Sequence, residues 1–300
     1  MIDLEEFKKL MPEMRHKDSK ELKSKKNIAL LSNEEKTLIT LIDNLREDSE
    51  DYYNCVTREK FEEVLSFQKH NFEVLFVNEG GEVITTGIDN EYFRDKNVVI
   101  RTDIDRLKKI IKNYPLLENE KDINVTNWFD FIKPLHRKMY AVKMNNIYKG
   151  IGSDDFKKVL NNDVFVKVVS KFYRYDFKYA TGTNIHSALE YAMERIPLER
   201  DMLVCKQVEM ETEYRCFVVN KKIVNMSPYK DYILEDIPKD HIDLVSKTFN
   251  LFSYDDFPDN FVIDFYITGN ICDIVECNVL SQSGRYAYNN PDEIAKAFRK

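Results

Sequence analysis

Asp264, Glu276 and Asn278 stand among apolar, strand-forming residues near the C-terminal end of a 300-residue chain, and oxygen-bearing side chains at that spacing suit a hard divalent cation. The run NFVIDFYITGNICDIVECN, from Asn260, reads as two strands joined through Thr268-Gly269-Asn270. A period of two puts Phe261, Ile263, Phe265 and Ile267 on one face and Asp264 on the other, while Ile274, Glu276 and Asn278 share a face of the next strand. Register decides whether these groups meet. A turn made by Gly269-Asn270 alone pairs Asp264 with Val275 and sends Glu276 to the opposite face. A three-residue loop, Thr268 to Asn270 with Asn270 left-handed, pairs Asp264 with Ile274 and gathers all three ligands, and that loop is the one expected. The cluster suits magnesium, which commonly shares its shell with nucleotide phosphates. Glu-x-Asn alone also describes unrelated groups on an exposed sheet face, since short motifs recur by chance. Its weight comes from the cations that precede it.

DVFVKVVSK, from Asp163, alternates like a half-buried strand and sets Lys167 with Phe165 and Val169. Taken alone, Lys167 also fits a lysine snorkelling at a sheet edge. Two further strand-like runs follow in DMLVCKQVEMETEYRCFVVNKKIV, the first carrying Lys206 and the second Glu213 and Arg215 on one face. A guanidinium within an apolar strand calls for a planar anion, carboxylate or phosphate.

The elements that position these groups form an uneven series. Ser32 and Glu35 make a capping box before a helix carrying Leu38, Leu41, Ile42 and Leu45, and a second helix is expected from Thr57 to about Lys69. Residues 1–70 therefore read as a helical N-terminal segment. EVLFVN, EVITTGI and NVVIRT then read as strands, with Gly80-Gly81 turning the first pair and a helix starting at Thr102, which makes residues 71–145 a small α/β lobe. Asn145 to Asp155 has boundary composition, and residues 146–300 read as antiparallel hairpins with helices packed against them, an α+β lobe.

Composition narrows the classes. A hydrophobic fraction of 43% supports a substantial core, and a net charge of −7 disfavours a general nucleic-acid surface. The basic stretch Arg15 to Lys26 is interrupted by Asp18 and Glu21 and reads as a solvated helical face or tail. MIDLEEFKKLM lacks the pattern of a secretory signal and no run has the length of a membrane span, so no membrane partner and a cytoplasmic location are expected. Five cysteines without a CxxC pair fit reduced, buried thiols, and the scattered histidines offer no metal motif.

The order of lysine strands, Arg215, Asp264 and Glu276-x-Asn278 resembles the ATP-grasp superfamily. METEYRCFVVNKKIVNMSPYKDY, NFVIDFY and IVECN look like the divergent clade that includes the cell-division-cycle 123 proteins, a likeness covering roughly residues 160–290. The resemblance implies an ATP-grasp fold with nucleotide held between two lobes, and ATP with Mg2+, one ion or two, as cofactors. It places Lys167 on the α- and β-phosphates, Lys206 at the adenine-facing hinge, and Arg215 with Lys230 near the γ-phosphate or acceptor. Asp264, Glu276 and Asn278 become metal ligands. Lys178 adds a phosphate contact, and Glu209 or Glu213 meets the ribose. Lys230 stands where the related proteins tend to show arginine, and only Gly182 lies between Lys167 and Lys206, so side chains rather than a glycine-rich loop must hold phosphate. Ser283 and Arg285 are candidate acceptor contacts, against the alternative of a structural loop.

By the same resemblance, an acceptor carboxylate attacks the γ-phosphate and an amine captures the resulting acyl-phosphate. The acceptor is a peptide, a protein or a small molecule. Two rivals remain. A non-catalytic ATP-dependent assembly factor binds ATP without releasing ADP or AMP. An RNA-end ligase shows steeply salt-dependent RNA binding that is lost on neutralising Lys20, Lys23, Lys25 and Lys26.

Overall fold

The structure, a computed structural model, describes residues 26–32, 62–118, 128–149, 151–160, 164–168, 176–179, 199, 201–206, 208–229, 236–285 and 289–299. The helix expected after Ser32, Cys55, most of the basic stretch Arg15 to Lys26, Gly182 and Lys230 lie outside the described residues.

The first lobe is built on a parallel three-stranded sheet of β1 (Asn27–Ser32), β2 (Glu73–Val77) and β3 (Asn97–Arg101), in the order β2-β1-β3. This corrects the reading of residues 1–70 as helical, because β1 is the central strand. Ile28, Ala29 and Leu30 are all fully buried. A strand covered on both faces shows a continuous apolar run in place of alternation, which is why NIALLS carries no strand period. Residues 62–69 are helical as expected, with Val64 and Phe67 buried.

EVITTGI does not form the second strand of a hairpin; it contributes a single bridge, Val77 to Val83. Gly81, at φ +77°, passes so close to the helix Ile104–Asn113 that an added Cβ lies 2.5 Å from the Cβ of Lys109. Any side chain there displaces the helix. The helix itself is capped by Asp103, whose carboxylate accepts from the Arg106 N–H at 2.9 Å.

Two antiparallel sheets follow. β4 (Met139–Lys143), β5 (Val164–Val168), β6 (Asp176–Tyr179) and β7 (Asp201–Lys206) pair in the order β4-β7-β5-β6. β4, which a boundary at 146 assigns to the first lobe, hydrogen-bonds into this second sheet. The third sheet takes β8 (Thr212–Val219), β9 (Lys222–Pro228), β10 (Phe261–Thr268) and β11 (Ile271–Asn278) in the order β11-β10-β8-β9.

The faces of the third sheet follow the sequence period. Phe261, Ile263, Phe265 and Ile267 join Tyr214, Cys216 and Val218 in a core closed by Val245 and Phe249 of the helix Lys239–Phe249. Each such buried side chain contributes about 1.5–3 kcal/mol. On the opposite face, Phe217, Val219 and Val262 pack with Ala29 and Leu31 of β1 and with Ile294 and Phe298 of the helix Pro291–Phe298. The polar residues on that face therefore sit where the first lobe meets the third sheet. No helix among the described residues is long and apolar enough to cross a membrane.

Candidate functional site

Glu276, Asp264, Arg215 and Ser227 form one transverse row across β11, β10, β8 and β9. The turn between β10 and β11 is not the expected three-residue loop. Thr268 pairs with Ile271, so Gly269-Asn270 alone makes the turn. Gly269 has φ +54° at the first central position, where a type II′ turn favours glycine, and Asn270 is not left-handed. Glu211 holds this turn, accepting from the Gly269 N–H at 2.9 Å and from the Thr268 hydroxyl at 3.4 Å. A regular ladder from this turn would oppose Asp264 to Val275. A bulge intervenes: Phe265 pairs with Ile274, but Asp264 pairs with Glu276, and Val275 is the extra residue. The acids meet by a bulge, not by the turn.

Asp264 is completely buried, and Arg215 is 4% exposed. Their contact is a two-pronged ion pair, with Arg215 Nε donating to Oδ1 at 2.9 Å and Nη2 to Oδ2 at 2.7 Å. A third prong, Nη1, donates to the Gly284 carbonyl at 3.0 Å, and the guanidinium lies 4.8 Å from the Tyr229 ring centroid. Arg215, read from the sequence as a γ-phosphate or acceptor contact, is thus first of all the partner of Asp264. The Asn278 amide donates to Asp264 Oδ2 at 3.0 Å and to Glu276 Oε1 at 2.8 Å, which draws the two carboxylates to one amide group.

The donor chemistry of this cluster fits magnesium: two carboxylates and a carboxamide are hard oxygen donors, and an ionised carboxylate has lone pairs beyond those Arg215 and Asn278 use. Among the described residues no group of three or more His, Cys, Asp or Glu side chains stands together, so the two acids and Asn278 form a sparse set. Such a set leaves places in the shell for phosphate oxygens and water.

The cationic candidates lie in the second sheet. Lys167 sits opposite Leu203 of β7 and Asp176 of β6, Lys178 opposite Phe165, and Lys206 opposite Val164. Lys206, at the end of β7, is exposed. Glu209 is exposed in the segment joining β7 to β8, while Glu213 is half-buried on β8, opposite Tyr266.

Ser283 and Arg285 are engaged by the chain itself. The Ser283 hydroxyl donates to the Val279 carbonyl at 2.7 Å. Arg285 is 1% exposed, ion-paired with Glu62 and hydrogen-bonded to the Asn289 carbonyl, with Glu63 4.0 Å away. Glu63 also pairs with Arg101 at 2.8 Å, and Arg101 donates to the Leu280 and Ser283 carbonyls. This buried network ties the first lobe to the segment after β11, so the geometry favours the structural-loop alternative over acceptor contact.

Four cysteines, Cys205, Cys216, Cys272 and Cys277, are buried and outside any disulfide. Burial pushes the Cys205 and Cys216 thiols up and Cys272 up to about 11, which keeps all three protonated and unsuited to nucleophilic work at neutral pH.

Sequence reading passed over two groups beside the site, Asp273 and Arg137. Asp273 is fully buried and accepts from the N–H groups of Leu135, His136 and Arg137 at 2.7–3.0 Å. Arg137 is 4% exposed and donates to the Ile274 and Val275 carbonyls. An acid in an apolar strand was a signal for Asp273; nothing local pointed to Arg137.

Comparison with known proteins agrees with this architecture. The D-alanine–D-alanine ligase of Bacillus anthracis superposes with a TM-score of 0.53 at 11% identity, over 90% of this chain and 95% of that one. An ATP-grasp RimK domain protein of Sphaerobacter thermophilus gives 0.53 at 12%, over 90% and 99%. The ATP-grasp ligase PsnB, complexed with a minimal precursor, gives 0.52 at 9%, over 91% and 98%. At such identities the likeness shows the fold, which is α+β and of the ATP-grasp type. A search of curated proteins by sequence finds no match. The family model for the ATP-grasp domain, R-2-K clade family 2, matches residues 135–296, which span the second and third sheets and Lys167, Arg215, Asp264, Glu276 and Asn278 together. With more than half of its length matched, the chain belongs to this clade family of ATP-grasp domains.

Proposed function

We propose that this protein is an ATP-dependent ligase that joins a carboxylate to an amine through an acyl-phosphate, with a peptide as acceptor. The observation that carries the reading is the row Glu276–Asp264–Arg215 with Asn278 across it, hard oxygen donors beside a guanidinium on one sheet face. Glu276, Asn278 and Asp264 would hold Mg2+, the amide turning its oxygen toward the ion. Bound there, Mg2+ offsets the negative charge of the transferring phosphoryl group. Lys167, Lys178 and Lys206 would contact ATP phosphates and base, with Glu209 or Glu213 at the ribose and Lys230 near the acceptor. Arg215, anchored by Asp264 and unable to deprotonate, keeps a fixed positive charge beside the acids. In the reaction, an acceptor carboxylate oxygen bonds to the γ-phosphorus as the bond to ADP breaks. An amine nitrogen then bonds to the acyl carbon as phosphate leaves, and the amine proton passes to solvent or phosphate. No protein nucleophile is required, in keeping with the protonated thiols.

The peptide acceptor is supported by PsnB, an ATP-grasp ligase of similar fold whose structures hold a minimal precursor and a precursor peptide. Kinship with the cell-division-cycle 123 proteins rests on the strand sequences alone, and a cytoplasmic location suits ATP use and thiols outside any disulfide. The test is ADP release with Mg-ATP and a panel of peptides rich in Glu, Asp and Lys. We expect ADP, phosphate and one new acyl linkage in equal amounts. ATP binding with no ADP release against the whole panel contradicts the ligase reading and leaves the assembly factor.

A further inference from the structure

We propose that Arg137 is a positioning residue for the metal-binding row: it holds the Val275 bulge that sets Glu276 beside Asp264. The two-residue turn at Gly269-Asn270 by itself specifies a regular ladder with Asp264 opposite Val275 and Glu276 on the wrong face. The bulged and regular registers differ by one residue, and something outside the hairpin must select between them. A single nitrogen, Arg137 Nη2, donates to the Ile274 carbonyl at 3.1 Å and to the Val275 carbonyl at 3.0 Å, the acceptors on the bulge. In a regular strand successive carbonyls point to opposite edges, so one nitrogen reaches both of these only where the strand is bulged.

Arg137 is itself held from the same strand. Asp273 Oδ1 accepts from Leu135 N–H at 2.8 Å, and Oδ2 from His136 at 2.7 Å and Arg137 at 3.0 Å. Oδ1 also accepts from Ile274 N–H at 2.9 Å, just before the bulge. The clamp is thus closed. Asp273 fixes the backbone of 135–137, and the Arg137 side chain returns to the strand just beyond. Its guanidinium lies 5.8 Å from the ring centroid of Tyr266, on the face that carries Asp264. Two residues after Arg137 the chain enters β4, so the contact that fixes Glu276 also anchors the strand opening the lysine-bearing sheet.

This inference rests on the metal reading of Glu276, and its test separates the two. The full chain is followed by thermal unfolding with saturating ATP, first with EDTA and then with increasing Mg2+. Arg137→Gln is expected to raise the Mg2+ concentration for half of the Mg-dependent stabilisation by about 10–100-fold, the usual effect of losing a group that orients a metal ligand, and to leave the shift by ATP in EDTA unchanged. Arg137→Lys, which keeps a positive charge and hydrogen-bond donors, recovers part of the loss. A lowered melting temperature of the free protein with a wild-type Mg2+ midpoint makes Arg137 merely structural and overturns the proposal. Should Arg137→Gln fail to fold, Asp273→Asn carries the same expectation, and a wild-type midpoint there is equally contrary. A wild-type midpoint in Glu276→Gln overturns the metal reading itself, whatever Arg137 does.

Discussion

Arg215 and Asp264 illustrate how a site residue doubles as a stability determinant. Their paired, nearly dry contact is costly to break from one side, because the remaining charge is left in a medium that cannot solvate it. Arg215→Met is expected to destabilise the protein by about 3–5 kcal/mol in urea unfolding at pH 7, and Asp264→Leu combined with Arg215→Met by less than either change alone. Additive losses would argue against a coupled pair. The buried thiols make a separate prediction about pH. Cys272 is raised from an ordinary value near 9.0 to about 11, chiefly by burial, with a Thr248 hydrogen bond opposing and the Asp273 carboxylate adding. A group raised in the folded state contributes stability that is complete below its unfolded value and lost as pH rises through its folded value. Stability should therefore decline between about pH 9 and 11, and less steeply in Cys272→Val. Tyr266, pushed up to about 12 by burial and then by Asp273, extends the same trend.

The hairpin β10–β11 shows what a strand period reveals and what it conceals. Alternation was enough to separate the Phe261 face from the Asp264 face, because each face meets a different environment, and the paired acids stood out as polar residues in an apolar run. The two-residue turn had its signal in Gly269, the residue a type II′ turn favours at its first central position, with Glu211 holding it; the Val275 bulge had none, since it is settled by a group far along the chain, Arg137. β1 was hidden for the opposite reason: covered on both sides, it has no alternation to read. Arg285 was legible as a cation awaiting an anion, but the anion, Glu62, lies in the first lobe. At the turn, Gly269→Ala should cost about 1–2 kcal/mol, because a Cβ there meets no atom within 4 Å and the left-handed backbone is the whole penalty. A larger loss in urea unfolding would mean that the bulge had also been disturbed.

At the scale of the molecule, the third sheet is the floor on which the other parts rest. The helix Lys239–Phe249 packs on one face, and the first lobe with the helix Pro291–Phe298 packs on the other, which also carries the acidic row. Arg101, which donates to the Leu280 and Ser283 carbonyls, and the Glu62–Arg285 pair lock that junction from within. Arg285→Met is accordingly expected to lower stability by about 3–5 kcal/mol while leaving the acceptor KM of the folded protein unchanged; a raised KM with native stability would restore its role as an acceptor contact. The central claim is that the row Glu276–Asp264–Arg215 with Asn278 grips Mg-ATP, and thermal stabilisation tests it most directly. Wild-type protein at a ligand concentration about 100 times Kd should gain about 2.7 kcal/mol from Mg-ATP, and Glu276→Gln and Asp264→Asn should lose the Mg-dependent part of that gain. Equal Mg-dependent shifts in wild type and both variants would contradict the account.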